Sequence, residues 1–270
     1  PTSRGLFAFR ESASKYLERR FGVKISPEQI VTLIGSKEGI AHFPLGWLNQ
    51  GDIALVPSPA YPVYKIGTIF AEGVPYFLPL KEENNFLPDL DSVPQEVWER
   101  AKILFLNYPN NPTSAVCELE FFERAVFYAK KYQLWVANDL AYAELCFDGY
   151  LAPSILQVPG AEEVAIEFHS LSKTFNMTGW RVGFAVGARE AVDILAKVKS
   201  NIDSGVFQAI QWAGVEALEK GEQAIEEIRR VYQIRRDILA KGREQAGFKF
   251  QKPKATFYFW VKTPKGISSE

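Results

Sequence analysis

An α/β fold is what this sequence predicts: a three-layer α/β/α domain on a mostly parallel sheet, followed by part of a smaller α+β C-terminal domain. Two observations carry it. Apolar runs of strand length recur through the chain with helix-like stretches between them, and strands that lack polar alternation belong to parallel sheets covered on both faces. After Ser204 this rhythm gives way to long helical segments, the second of them charged and long enough to bridge two domains.

The elements follow in order. "PTSRGLFAFRESASKYLERR" reads as a turn and an amphipathic helix, so the chain is expected to begin in mid-architecture. After "VTLI", Gly35 lets the backbone turn tightly, and Ser36 and Lys37 start a helix running through His42. Strand-like runs then stand at 53–59, 74–80, 103–109, 134–139, 165–171 and 181–187, with "ELEFFERAVFYAKKYQ" the clearest helix between them. Helical segments follow in "GVFQAIQWAGVEALEKG" and "EQAIEEIRRVYQIRRDILAKGREQAG". "FKFQKPKATFYFWVK" alternates like a strand pair that opens a second domain. The expected division is a large domain over 1–235, which includes the start of the connecting helix, and the incomplete small domain over 236–270.

Composition narrows the function. Lys plus Arg number 31 against 32 for Asp plus Glu, so no long-range field draws the chain to nucleic acid or an anionic membrane, and small molecules are the expected partners. Cys117 and Cys146 are too few for a disulfide framework and lack metal-site spacing, which points to packed thiols in a reducing compartment. No apolar run approaches the roughly 18 residues of a membrane span. A cytoplasmic location is the expectation, with no metal.

In open α/β sheets ligands bind beyond the carboxyl ends of the strands. Those ends read "SPAYPVY", "NYPNNPT", "NDLAY" and "HSLSK". An aromatic face, an amide, a carboxylate, a phenol and an amine converge there, a set suited to a flat cationic heterocycle with a phosphate arm. Each residue alone has an ordinary reading: a solvated lysine, a capping aspartate, a proline turn, or Tyr61, Tyr64 and Tyr142 packed at an edge with the hydroxyl in water. Their co-occurrence at successive strand ends is what the ordinary readings do not explain.

Together with "GSKEG", "SLSKTFNMTGWRVG" and "DSGVFQAIQ", these motifs resemble the pyridoxal-phosphate-dependent aminotransferases of class I/II, fold type I. The likeness runs over essentially the whole chain and is greatest to the LL-diaminopimelate and aspartate aminotransferase-like branch. The resemblance implies that Lys173 holds pyridoxal 5'-phosphate as a Schiff base and that Asp139 meets the pyridine nitrogen. It further implies that Asn111 and Tyr142 bind the ring's phenolic oxygen, that Tyr61 stacks on the ring, and that Ser36, Lys37, Ser170 and Arg181 line the phosphate.

The chemistry requires these residue types. Only a primary amine condenses reversibly with an aldehyde and is then displaced by a substrate amine. A lysine freed in this way also carries protons at the substrate α-carbon once its pKa falls from about 10.4 toward 7 to 8. A carboxylate favours the protonated ring nitrogen, and a phosphate wants helix-start N–H groups plus a guanidinium fork. A turn at Gly179 is expected to bring Arg181 back toward Lys173. His42 and His169 are read as packing or helix-face residues, and Trp180 and Met177 as core beneath this loop.

The implied activity is transfer of an amino group between an amino acid, such as aspartate or LL-diaminopimelate, and a 2-oxo acid such as 2-oxoglutarate, in a homodimer with residues around Asn201 to Ser204 reaching across. Two alternatives stay open: a carbon–sulfur lyase or synthase that uses the same coenzyme, and a coenzyme-binding sensor without turnover. The absence of a winged-helix or basic DNA-reading segment counts against the sensor. The resemblance also leads us to expect an arginine for the substrate carboxylate beyond Glu270 and a partner tyrosine upstream of Pro1.

Overall fold

Apolar residues of both parities are buried along the central strands, which is why the sheet is covered twice. The computed structural model describes residues 3–269. The strands are β1 Ile30–Leu33, β2 Ile53–Ser58, β3 Val74–Pro79, β4 Ala101–Leu106, β5 Trp135–Asp139, β6 Ala165–Ser170 and β7 Gly183–Gly187. The α-helices are α1 Phe7–Phe21, α2 Ser36–Trp47, α3 Val63–Phe70, α4 Gln95–Arg100, α5 Leu119–Tyr132, α6 Leu171–Thr174, α7 Arg189–Ser200, α8 Gln208–Lys220 and α9 Glu222–Gln245. One seven-stranded sheet runs in the order β1-β7-β6-β5-β4-β2-β3, and β7 is antiparallel to both its neighbours while the other pairs are parallel.

Alternation assigns the two cores. Leu104 and Leu106 of β4 pack with Phe9 and Leu17 of α1, Phe122 of α5 and Leu218 of α8. Ile103 and Phe105 of the same strand join Ile40 and Phe43 of α2, Tyr64 of α3 and Leu195 of α7 on the opposite face. Two expectations change here. The strand β1 and the reversal of β7 come from pairing across the sheet, which a local apolar run does not encode. The stretch "FKFQKPKATFYFWVK" forms no regular strand pair, only the isolated bridges Phe250↔Val261 and Cys146↔Ala255, the second of which fixes it to the loop after β5.

Buried ion pairs set the loops around the sheet's carboxyl edge. Lys199, at the end of α7, is 0% exposed and donates to Glu38 at 3.1 Å and to the Asp203 oxygens at 2.9 and 2.8 Å. Glu38 in turn accepts the Ile34 N–H at 3.0 Å and holds His42 at 2.9 Å, so the start of α2 and the segment after α7 share one ammonium. Replacing Lys199 with Met strands two carboxylates that are themselves slightly solvated. We expect a loss of about 2 to 3 kcal/mol, below the cost of breaking a fully buried pair, seen as a lower urea midpoint; an unchanged midpoint contradicts this.

Candidate active site

The site is built where five strands end and β7 begins. Because β7 runs against its neighbours, Arg181, two positions before it, lies at the same edge as the residues that follow β1, β2, β4, β5 and β6. Ser36, Lys37, Tyr61, Asn111, Asp139, Tyr142, Ser170, Lys173 and Arg181, the full set expected from the sequence, line one cavity of about 260 Å³. Ala141, Ser172, Thr178 and Tyr258 complete its wall.

Asp139 ends β5 and is buried. Oδ2 accepts the Tyr64 hydroxyl at 2.9 Å, and the backbone carbonyl accepts Asn107 Nδ2 at 2.7 Å. Oδ1 is buried without a well-aligned hydrogen-bond partner among the described residues, although the Ala141 N–H is close enough to help hold the carboxylate ionised. Burial pushes the Asp139 carboxyl up to about 6, against the opposing pull of the Tyr64 hydroxyl. Asn107 also accepts the Asn111 N–H at 2.8 Å, so a single amide ties the loop after β4 to the end of β5.

Lys173 sits in the single turn of α6, half-buried. Loss of water around its amine, and then the positive charge of Arg181, lower its pKa, the direction needed for an amine that must be neutral to attack. Ser170 caps that turn, accepting the Ser172 N–H at 3.3 Å. Arg181 donates to Thr178 O at 2.9 Å and to Ile34 O at 3.4 Å. Its guanidinium lies where a Cβ on Gly35 would collide with it, and Gly35 itself has φ +76°, so the helix start at Ser36 and the fork of Arg181 form one cradle. Lys37 Nζ lies 5.5 Å over the Tyr61 ring.

Some details depart from expectation. The chain does not reverse at Gly179, which sits in a 3-10 turn. The left-handed positions are Asn176 (φ 53°) and Arg181 itself (φ 55°). Trp180 is 47% exposed rather than core, whereas Met177 is buried. The two histidines have carboxylate partners, His42 with Glu38 and His169 with Glu167 at 2.8 Å, and His169 stacks on Phe184 at 4.7 Å. No group of metal-ligating side chains occurs among the described residues. Both cysteines are buried and free.

Two contributions were not legible in the sequence. Tyr64 is fully buried instead of edge-packed in water, and its hydroxyl is spent on Asp139. Phe257 and Tyr258 reach the site from the C-terminal stretch. The Tyr258 hydroxyl meets that of Tyr142 at 2.8 Å, and the Phe257 ring lies 5.3 Å from Lys173 Nζ. Ser114 Oγ donates to Tyr258 O at 2.7 Å and Thr256 N–H to Leu145 O at 2.8 Å, which clamps this wall between the loops after β4 and β5. The run of four aromatics directly after Thr256, Phe257 to Trp260, is the local signal, and it carries no strand-end motif.

The profile of the family described as aminotransferase class I and II matches residues 1–267. The chain belongs to that family. It is 54% identical over its whole length to the LL-diaminopimelate aminotransferase of Moorella thermoacetica and spans 69% of that protein. The corresponding Aquifex aeolicus enzyme is 55% identical, with 100% of this chain and 70% of that one covered. Among solved structures, substrate-bound BacF of Bacillus subtilis superposes with a TM-score of 0.95 at 37% identity, covering 99% of this chain and 68% of that one. A double mutant of Thermus thermophilus aspartate aminotransferase superposes at 0.90 and 30% identity, with 96% and 68% covered. This aminotransferase is therefore an enzyme dependent on pyridoxal 5'-phosphate, and the donor set fits that group: a buried carboxylate oxygen lacking a donor, a desolvated amine, and a helix start facing a guanidinium.

Proposed function

We propose that this chain transfers an amino group between LL-diaminopimelate and a 2-oxo acid such as 2-oxoglutarate. The observation that carries the reading is the meeting of Lys173, Asp139 and Arg181 around one cavity, in a chain whose relatives at 48–55% identity bear that enzyme's name. Pyridoxal 5'-phosphate, when bound, supplies a reactive aldehyde and an electron-withdrawing ring. Lys173 is the residue that would hold the aldehyde, and afterwards its neutral Nζ moves a proton at the substrate α-carbon. Asp139 would face the ring nitrogen and favour its charged form. Tyr142 and Asn111 would bind the phenolic oxygen, with Tyr61 against the ring. Arg181, Ser36, Lys37 and Ser170 would hold the phosphate. Phe257 shields the Lys173 amine from water.

We assign residues 1–235 to the cofactor-binding domain and 236–270 to the start of a smaller one. Pairing of two copies is part of the proposal. Ile202, Phe207 and Trp212 are 51%, 72% and 53% exposed, and such large apolar side chains favour an interface. No helix among the described residues is long and apolar enough to cross a membrane, and two free buried thiols agree with a reducing cytoplasm. The test is turnover by the cofactor-loaded protein with LL-diaminopimelate. We expect glutamate formation that requires 2-oxoglutarate. Turnover without any 2-oxo acid would instead establish a lyase or synthase, and a preference for aspartate would overturn the substrate assignment.

A further inference from the structure

Tyr64 lies outside the set of residues to which the sequence assigns cofactor contact, yet it alone among the described side chains hydrogen-bonds the Asp139 carboxylate. Its ring is locked. It stacks on Phe105 with centroids 5.3 Å apart at 23° and meets Tyr61 edge-on at 6.1 Å. Its own carbonyl accepts Thr68 Oγ1 at 2.8 Å within α3. Asp139 is equally constrained from behind, through Asn107 at its carbonyl and the Leu140 N–H bonded to Phe168 O at 2.9 Å. The remaining freedom is rotation of the carboxylate, and the Tyr64 hydroxyl removes it.

We propose that Tyr64 is a positioning residue for the cofactor's ring nitrogen, holding one oxygen of Asp139 so that the other is presented unshared to the ring. The proposal rests on the reading of Asp139 given above. A buried carboxylate keeps its charge only when donors compensate for the lost water. Tyr64 is a dependable donor because burial, and next the charge of Asp139, push its phenol well above the ordinary range. The other titratable groups acting electrostatically on Asp139 are His169, which is bonded to Glu167, and Tyr142, which is bonded to Tyr258. Without the Tyr64 hydroxyl a shared proton resides more on the carboxyl and less on the ring nitrogen.

The test uses the protein loaded with pyridoxal 5'-phosphate labelled with ¹⁵N in the ring, following the nitrogen chemical shift against pH. In the wild type the nitrogen stays protonated through neutral pH. In Tyr64→Phe, which keeps the ring, the nitrogen is expected to lose its proton about one to two pH units earlier, the span set by a hydrogen bond to a charged group. Phe105→Leu is the packing control: it lowers the melting temperature and leaves the nitrogen titration in place. An unchanged titration in Tyr64→Phe overturns the proposal while leaving Asp139 in its role. An equal shift in Phe105→Leu overturns it in favour of simple packing. A wild-type nitrogen that carries no proton overturns the reading of Asp139 and this proposal with it.

Discussion

Replacing Lys173 with Ala is expected to abolish multiple-turnover transamination, the loss of its proton transfer alone slowing the reaction about 10²- to 10⁴-fold. The fold should survive. Among the described residues the Lys173 amine has no hydrogen bond or ion pair, only the Phe257 ring beside it, and removing a side chain with so few partners costs about 1 kcal/mol or less. The measurement is a paired one: multiple-turnover rate and thermal melt of the same preparation. Retained multiple turnover in the Ala variant would contradict the role given to this amine. A collapse of the melt would contradict the claim that it is placed for chemistry rather than stability.

The second large effect belongs to Asp139, and its sign depends on what the carboxylate faces. Burial raises its pKa from the ordinary 3.8 to about 6. A carboxyl raised in this way favours the fold while protonated: the contribution is full below about pH 4 and is lost as pH rises through 6. Above that the charged form costs the fold about 3 kcal/mol. In protein stripped of cofactor, Asp139→Asn should therefore resist urea better than wild type at pH 8 and lose that advantage near pH 4. In the loaded enzyme the preference inverts, because a cationic ring needs the ionised partner. Cofactor affinity should weaken as pH falls through about 6, and Asp139→Ala should slow turnover about 10- to 10³-fold. A cofactor affinity independent of pH between 4 and 8 contradicts the pairing.

The strand ends were readable because their chemistry is local. A turn residue, a capping hydroxyl or a Gly that tolerates φ +76° at position 35 marks where an apolar run stops, and ligands gather where such runs stop. That logic, with the resemblance it led to, reached nine residues of the cavity wall from Ser36 to Arg181 but not Ala141, Ser172 or Thr178 between them. It failed where the partner lies far along the chain. Tyr64 and Asp139 are 75 positions apart, and Tyr142 and Tyr258 are 116 apart, so no spacing rule connects them. The same limit explains β7. "RVGFAVG" reads as a buried strand in either direction, and only its pairing with β1 and β6 shows that it runs backwards and so delivers Arg181 to the site. Gly179 is the turn the sequence predicts, because glycine takes left-handed backbone at no steric cost, yet Asn176 and Arg181 take it instead.

The central claim is that one amine, Lys173, holds the cofactor in this cavity. Incubation with pyridoxal 5'-phosphate, reduction with borohydride and peptide mapping by mass spectrometry test it most directly. The account predicts a single stable pyridoxyl-phosphate adduct on the peptide that contains Lys173, absent from Lys173→Ala. A protein that remains colourless and unlabelled, or one labelled equally at Lys37 or at surface lysines, would contradict it.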